Sequence, residues 1–187
     1  MHFTYASIQE RIVICSMERE LDNVRVQEIT PIDSSIKYDC KLSSGGTQWI
    51  VEIKNRYVSS NTYPDFWIEM DKLIDLKYYS ELYNEPAKFI LHFEDRSLLW
   101  DVDDLYNRWK NNETKPITRN YAKYSCLNKE VKADKEVLPI KREWAADINF
   151  KRKNKIELDN KSKEWYNQNS TSALFNTSWT RTQTVGN

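Results

Sequence analysis

The alternation of apolar and polar side chains along this chain predicts a series of short, distinct elements. Ser7 to Leu21 carries Ile8, Ile12 and Cys15 at helical spacing, and Ile14, Met17 and Leu21 widen the stripe; a period near 3.6 predicts a helix. Ser7 and Glu10 stand at the spacing of a capping box at its start. Val24 to Ile29 alternates, which predicts a strand that Pro31 ends. Ile36, Tyr38, Cys40 and Leu42 then alternate with Lys37, Asp39 and Lys41. After Ser43-Ser44-Gly45-Gly46-Thr47, Trp49, Val51 and Ile53 alternate with Ile50, Glu52 and Lys54. Two period-2 runs around a glycine turn predict an antiparallel hairpin, each strand with one apolar face.

Asn55 to Asp65 reads as a polar loop. A helix is expected from about Phe66 to Tyr83, with Trp67, Met70, Ile74 and Tyr78 on one side and Pro86 as its stop. Lys88 to Glu94 predicts a strong strand, Asp95-Arg96 a turn, and Ser97 to Val102 its pairing partner. Asp103 to Lys110 predicts a short helix. Beyond Asn111 the pattern weakens: Lys115 to Tyr124 reads as extended, and Val137 to Ile140 as an edge strand, since Pro139 has no N–H to give a ladder. There is no internal repeat. The expected fold class is mixed α/β (α+β), a central mixed β-sheet flanked by helices, over residues 1–150. Residues 151–187 open with Lys151-Arg152-Lys153-Asn154-Lys155, end in a run rich in Asn, Ser and Thr, and are expected to be poorly ordered.

Composition narrows the function classes. No apolar stretch is long enough to span a bilayer; Ala87 to Phe93 is broken by Lys88 and His92. The first residues lack the basic lead and apolar run of a signal peptide. Cys15, Cys40 and Cys126 are far apart and form no C-x-x-C, which fits a reducing cytoplasm and not a zinc site. His2 and His92 are the only histidines, so histidine catalysis is disfavoured; His92 reads as a core residue. The net charge is zero, but residues 1–109 hold 12 Lys/Arg and 19 Asp/Glu, whereas residues 110–187 hold 16 and 9. An acidic front suits a metal site and a basic back suits a polyanion; an ordinary solvated charge gradient accounts for it equally well.

The candidate chemistry lies on the predicted hairpin. Glu52 and Lys54 are two apart on one strand and project from the same face. Asp39, on the partner strand, can be brought beside Glu52 by the glycine turn. Two adjacent carboxylates repel unless a cation lies between them, and oxygen ligands of this kind suit Mg²⁺ or Mn²⁺. The backbone carbonyl of Ile53 is a further candidate metal oxygen, and Lys54 is placed to position water or stabilise charge developing on phosphorus. The competing reading is a solvated polar face with a cross-strand Lys–acid pair.

Asp39, a short turn, then Glu52-Ile53-Lys54, after a first helix carrying an acid, resembles the PD-(D/E)XK or restriction-endonuclease-like superfamily. The order of elements over roughly residues 7–145 is most similar to small nucleases of that superfamily encoded by bacteriophages. The residues that carry this are Ile68-Glu69-Met70-Asp71-Lys72-Leu73, a Phe-Ile-Leu-His-Phe strand, Leu-Leu-Trp-Asp-Val, and Lys-Glu-Val followed by Leu-Pro-Ile. Tyr38 stands where the motif has Pro. The resemblance implies a Mg²⁺- or Mn²⁺-dependent nuclease that hydrolyses DNA phosphodiesters with a metal-activated water, in a host cytoplasm if phage-encoded. It implies a homodimer too, because many such nucleases are dimers, though no coiled-coil seam is visible. The alternative is an inactive module on the same fold that binds nucleic acid or a host protein. Glu10 is then either the fourth acid of the site or only the capping-box partner. Lys37, Lys41, Arg56 and Lys72 are candidate nucleic-acid contacts. Glu69 and Lys72 equally suit a surface i, i+3 pair. Tyr57, Tyr63 and Trp67 are candidates for base stacking, although aromatics at such spacings more often fill a core.

Overall fold

The structure is a computed structural model; it describes residues 5–31, 34–124, 128–148 and 150, with main chain only for 5–8, 121–124 and 128–132. The expected tail, Cys126 and His2 lie outside the described residues. The elements are helix α1 (Tyr5–Glu20), strands β1 (Val24–Ile29), β2 (Cys40–Ser44), β3 (Thr47–Asn55) and β4 (Phe66–Glu69), helix α2 (Met70–Tyr83), strands β5 (Ala87–His92) and β6 (Ser97–Asp101), helix α3 (Val102–Lys110), strands β7 (Ile117–Tyr124) and β8 (Asn128–Ile140), a 3-10 turn at Arg142–Trp144, and β9 (Ala146–Ile148).

Six strands form a central sheet in the order β1-β2-β3-β5-β6-β9, and β4-β8-β7 form a second sheet. The central sheet is mixed: β3 and β5 run parallel, from Ile50↔Ala87 to Asn55↔His92, and its other neighbours are antiparallel. The expected fold class therefore holds, helices on both faces of a mixed sheet. On one face Val13, Ile14 and Met17 of α1 pack on Cys40, Leu42, Val51, Ile53 and Ile90. On the other, Leu73 and Leu76 of α2, Leu105 of α3 and Phe66, Ile68, Leu138 and Ile140 of the small sheet cover Ile50, Phe89, Leu91 and Trp100. The fully buried Trp100 indole still donates its N–H, to the Lys141 carbonyl at 2.9 Å, so its polar tip is satisfied.

The glycine turn is tighter than expected. Ser44↔Thr47 is the last pair of the hairpin, which leaves only Gly45 and Gly46 to turn, both at positive φ (58° and 83°). A two-residue hairpin turn matched to strand twist needs that conformation, and glycine adopts it without a Cβ clash. The expected first strand is shorter: β2 starts at Cys40, and residues 36–39 approach it as irregular chain. β3 also differs from a one-sided strand, since Ile50, Val51, Glu52 and Ile53 are all buried, as a strand covered on both faces must be.

Further expectations are corrected. Phe66–Glu69 is a strand, not the start of a helix; it pairs with β8 from Phe66↔Ile140 to Glu69↔Val137. The buried side of α2 is Met70, Leu73 and Leu76, while Ile74 and Tyr78 are 47% and 57% exposed. An apparent stripe that includes Trp67 carries strand residues into a helical count and so rotates the face. The helix is stopped by Asn84, whose left-handed conformation (φ 53°) ends it before Pro86. Lastly, Val137–Ile140 is not an edge strand but the end of the central strand of the small sheet. Pro139 is tolerated because it faces Trp67 on one side only, beyond the end of β7 at Ile117↔Val137. Ser7 lies inside α1, which is described from Tyr5, and not at the helix start where the Ser7–Glu10 capping box was expected.

The corrected face of α2 can be tested directly. Leu73→Ala is expected to destabilise the protein by about 2–5 kcal/mol in urea unfolding, whereas Ile74→Ala is expected to stay within about 0.5 kcal/mol of the parent. The reverse order would restore the helical stripe read from sequence.

Candidate active site

The site lies where the pairing of β2 with β3 stops. Cys40↔Val51 is the last register pair, and Asp39 continues it by main chain: its N–H donates to the Val51 carbonyl at 2.9 Å. One residue on, a side chain replaces the ladder, as Oδ2 of Asp39 accepts the Ile53 N–H at 2.7 Å. Amide and carbonyl of one residue in an extended strand point to the same edge, so the Ile53 carbonyl faces Asp39 too.

Glu52 is the residue about which this region is organised. It is 1% exposed on a strand flanked by Val51 and Ile53. The solvated-face reading therefore fails. A buried carboxylate is costly unless it is paired, and two lysines meet it. Lys72 Nζ, from the first turn of α2, donates to Oε2 at 3.1 Å and to the Lys37 carbonyl at 3.0 Å. Lys54 Nζ forms an ion pair with Oε1 at 2.8 Å. Lys54 also lies 3.7 Å from Oε1 of Glu10 on α1, and its own side chain remains 34% exposed.

The cleft between these groups has a volume of about 130 Å³ and is lined by Glu10, Arg11, Thr30, Pro31, Ser34, Lys37, Asp39, Glu52 and Lys72. Its electrostatics are strained on the negative side. Burial, with Glu52 and Glu10 adding repulsion, holds Asp39 well above the ordinary carboxylate range, although Lys54 and the Ile53 amide pull it down. Burial also raises Glu10, against the opposing pull of Lys54 and in step with Glu52. Burial alone would lower Lys54; the combined charge of Glu52, Glu10 and Asp39 outweighs it and keeps the ammonium above its ordinary value.

The structure thus brings Glu10, Asp39, Glu52, Lys54 and Lys72 together, with Lys37 contributing a carbonyl. Lys41 is not among them: it pairs with Glu85 at 2.9 Å and covers the Tyr83 ring at 3.9 Å. Arg56 influences Glu10 through its charge. Glu69 and Lys72 do not make the i, i+3 pair; Glu69 takes both bonds from Lys135 at 3.0 Å while Lys72 turns to Glu52. Arg11 escaped the sequence reading. It donates to the Thr30 carbonyl in the cleft wall, and burial lowers its pKa although Asp39 favours the charge. Nothing in the spacing of α1 shows which flank faces the hairpin. His92 is buried and shares a 2.7 Å hydrogen bond between Nδ1 and the Ser97 hydroxyl, as a core histidine should. Cys15 and Cys40 are free thiols.

Among the described residues, no three acidic, histidine or cysteine side chains already stand in a metal-ligating group. The donor set nevertheless fits a hard divalent cation. The Asp39 and Glu52 carboxylates and the Ile53 carbonyl offer only oxygens, the donors that such a cation prefers.

No protein-family model matches the chain, and no curated protein matches it. Among solved structures it is similar to Hjc, a Holliday junction resolvase of the archaeal hyperthermophile Archaeoglobus fulgidus, with 14% identity over 50% of this chain and 74% of that one and a TM-score of 0.40. It is also similar to D212, a nuclease from a fusellovirus, with 17% identity over 88% of this chain and 92% of that one and a TM-score of 0.40. Likenesses this distant leave the function to be argued from the site itself. Among the described residues no helix is long and apolar enough to cross a membrane.

The raised Asp39 pKa fixes a sign. Below the ordinary value of 3.8, folded and unfolded chains are both protonated and the group costs nothing. Above it the unfolded chain ionises first, so the stability tied to this carboxyl is lost as pH climbs towards the folded pKa. Asp39→Asn keeps an oxygen for the Ile53 amide and removes the charge. Without divalent cations its melting temperature is expected to gain on the parent's as pH rises from about 5 to 8, by about 2–4 °C for each kcal/mol relieved. A constant difference between the two melting curves would rule out the charge as the cause.

Proposed function

We propose that this chain is a nuclease that hydrolyses DNA phosphodiester bonds at the Glu52 cleft, dependent on Mg²⁺ or Mn²⁺. The observation that carries this reading is the buried Glu52 carboxylate, met by two lysines and facing Asp39 and Glu10 across a solvent-accessible cleft. A strand centre covered on both faces is an unfavourable place for that charge, and packing alone would be served as well by an apolar residue. A buried cluster of acids and lysines with displaced pKa values opening on a cleft is the kind of arrangement that catalytic sites use.

Each residue has a role in this reading. Asp39, Glu52 and the Ile53 carbonyl hold the cation. When bound, a divalent cation supplies positive charge to the scissile phosphate and makes water a nucleophile near neutral pH. Lys54, one-third exposed and held protonated by three carboxylates, donates towards a phosphate oxygen and offsets negative charge as it builds up on phosphorus. Glu10 orients Lys54 from the α1 side. Lys72 leaves Glu52 free to face the cation by turning to the phosphate, and Arg11 holds the Thr30 carbonyl in the cleft wall. A dimer and a cytoplasmic location accompany this proposal.

A second reading has its own support. With Lys54 and Lys72 both seated on Glu52, the counter-charge is already supplied, as it would be in an inactive module that only binds nucleic acid. Cleavage assays with Mn²⁺ and Mg²⁺ on duplex, single-stranded and branched DNA separate the two. The parent is expected to cut, and Glu52→Gln and Lys54→Ala are each expected to lose about 10²-fold or more in rate. Cutting that survives in Glu52→Gln would defeat the assignment of the activity to the Glu52 cleft. DNA binding by a parent that takes up no Mn²⁺ in calorimetry would select the inactive module.

A further inference from the structure

The strands β7 and β8 form a ribbon that the cleft chemistry leaves unused. Past the last β4 pair, Glu69↔Val137, they run on together from Thr118↔Glu136 to Tyr124↔Asn128, with an irregularity between Ala122 and Tyr124. At about 3.3 Å per residue, the stretch of β8 from 128 to 136 is about 30 Å long. β7 packs almost wholly on β8, and a two-stranded ribbon is marginal in water by itself. Its local charge is also distinct: between Lys115 and Glu136 the sequence has six Lys/Arg and three Asp/Glu, whereas residues 1–109 are acid-rich.

The root of the ribbon carries an unfavourable arrangement. Arg119 and Lys135 stand directly opposite one another, where like charges repel. Carboxylates hold them there. Glu69 accepts both bonds from Lys135 at 3.0 Å, and Asp65 lies 3.9 Å from Arg119, whose guanidinium also sits 4.5 Å above the Trp67 ring. Glu69 immediately precedes α2, and Lys72, one helical turn further, is the lysine on Glu52. The paired cations therefore flank the segment that delivers Lys72 to the cleft.

The major groove of a DNA duplex admits a two-stranded β-ribbon, and paired cations at such an element's root suit the phosphates that border the groove. We propose that the β7–β8 ribbon is a docking arm that lies in the major groove of duplex DNA, with Arg119 and Lys135 taking phosphates at its root; this rests on the nuclease reading and names its substrate as duplex.

The test is binding, measured apart from cleavage. Full-length Glu52→Gln protein is titrated by fluorescence anisotropy against a labelled random-sequence duplex and its single strand, over a series of salt concentrations. Adding Arg119→Gln and Lys135→Gln is expected to weaken duplex binding about tenfold and to reduce the salt slope by about two, one for each phosphate that no longer meets a cation. The single strand should lose less. Melting temperatures of parent and variant establish that both are folded; should the double variant not fold, each single variant is read instead, with a slope change of about one. Unchanged duplex affinity and slope, or an equal loss on single strand, would overturn the arm. If Glu52→Gln itself binds no DNA, the nuclease reading falls with it, whereas intact binding unaffected by the root residues removes the arm alone.

Discussion

The architecture turns on the burial of one carboxylate. Glu52 sits in the middle of a strand covered on both faces, and almost every polar feature nearby answers to it. Lys54 comes from the same strand and Lys72 from α2 on one side of the sheet, while Glu10 reaches Lys54 from α1 on the other. A single strand thus joins charges from two separate hydrophobic layers. Removing one partner from such a cluster would leave another charge buried and unpaired, which is far worse than removing all of them.

The second sheet serves this cluster indirectly. α2 starts at Met70, directly after β4, and β4 is held by its ladder to β8. The position of Lys72 is therefore set by strand pairing across about seventy residues of sequence, not by the loop that leads from β3. Asp95 secures that loop at its middle by accepting both the N–H and the hydroxyl of Ser60 at 2.7 Å, which holds its pKa at about 2 against the opposing effect of burial.

Local pattern carried much of this and failed where pairing is long-range. Alternation gave β1, the hairpin, β5, β6 and α3, because each buries its own periodic face. The proximity of Asp39, Glu52 and Lys54 was legible from strand period and turn length, although Asp39 precedes β2 instead of lying on it. β4 was not, because Phe66-Trp67-Ile68 runs into a helix without a breaker, and its partner lies on a strand whose Pro139 suggested an edge. Lys72 reads in the sequence as a nucleic-acid contact or as half of a surface pair, not as the partner of Glu52, and Arg11 is not singled out at all. Both depend on how a helix is rotated against the sheet, which tertiary packing decides.

The two glycines of the β2–β3 turn have a bearing beyond their own conformation. Side chains of a strand alternate strictly, so sliding β3 by one position against β2 would send Glu52 into the layer beneath α1 and bring Val51 out towards α2. Both arrangements would keep most backbone hydrogen bonds. A loop of fixed length, closed by two residues that few others can replace, denies the chain that near-miss, and so acts as the proofreader of where the acid ends up.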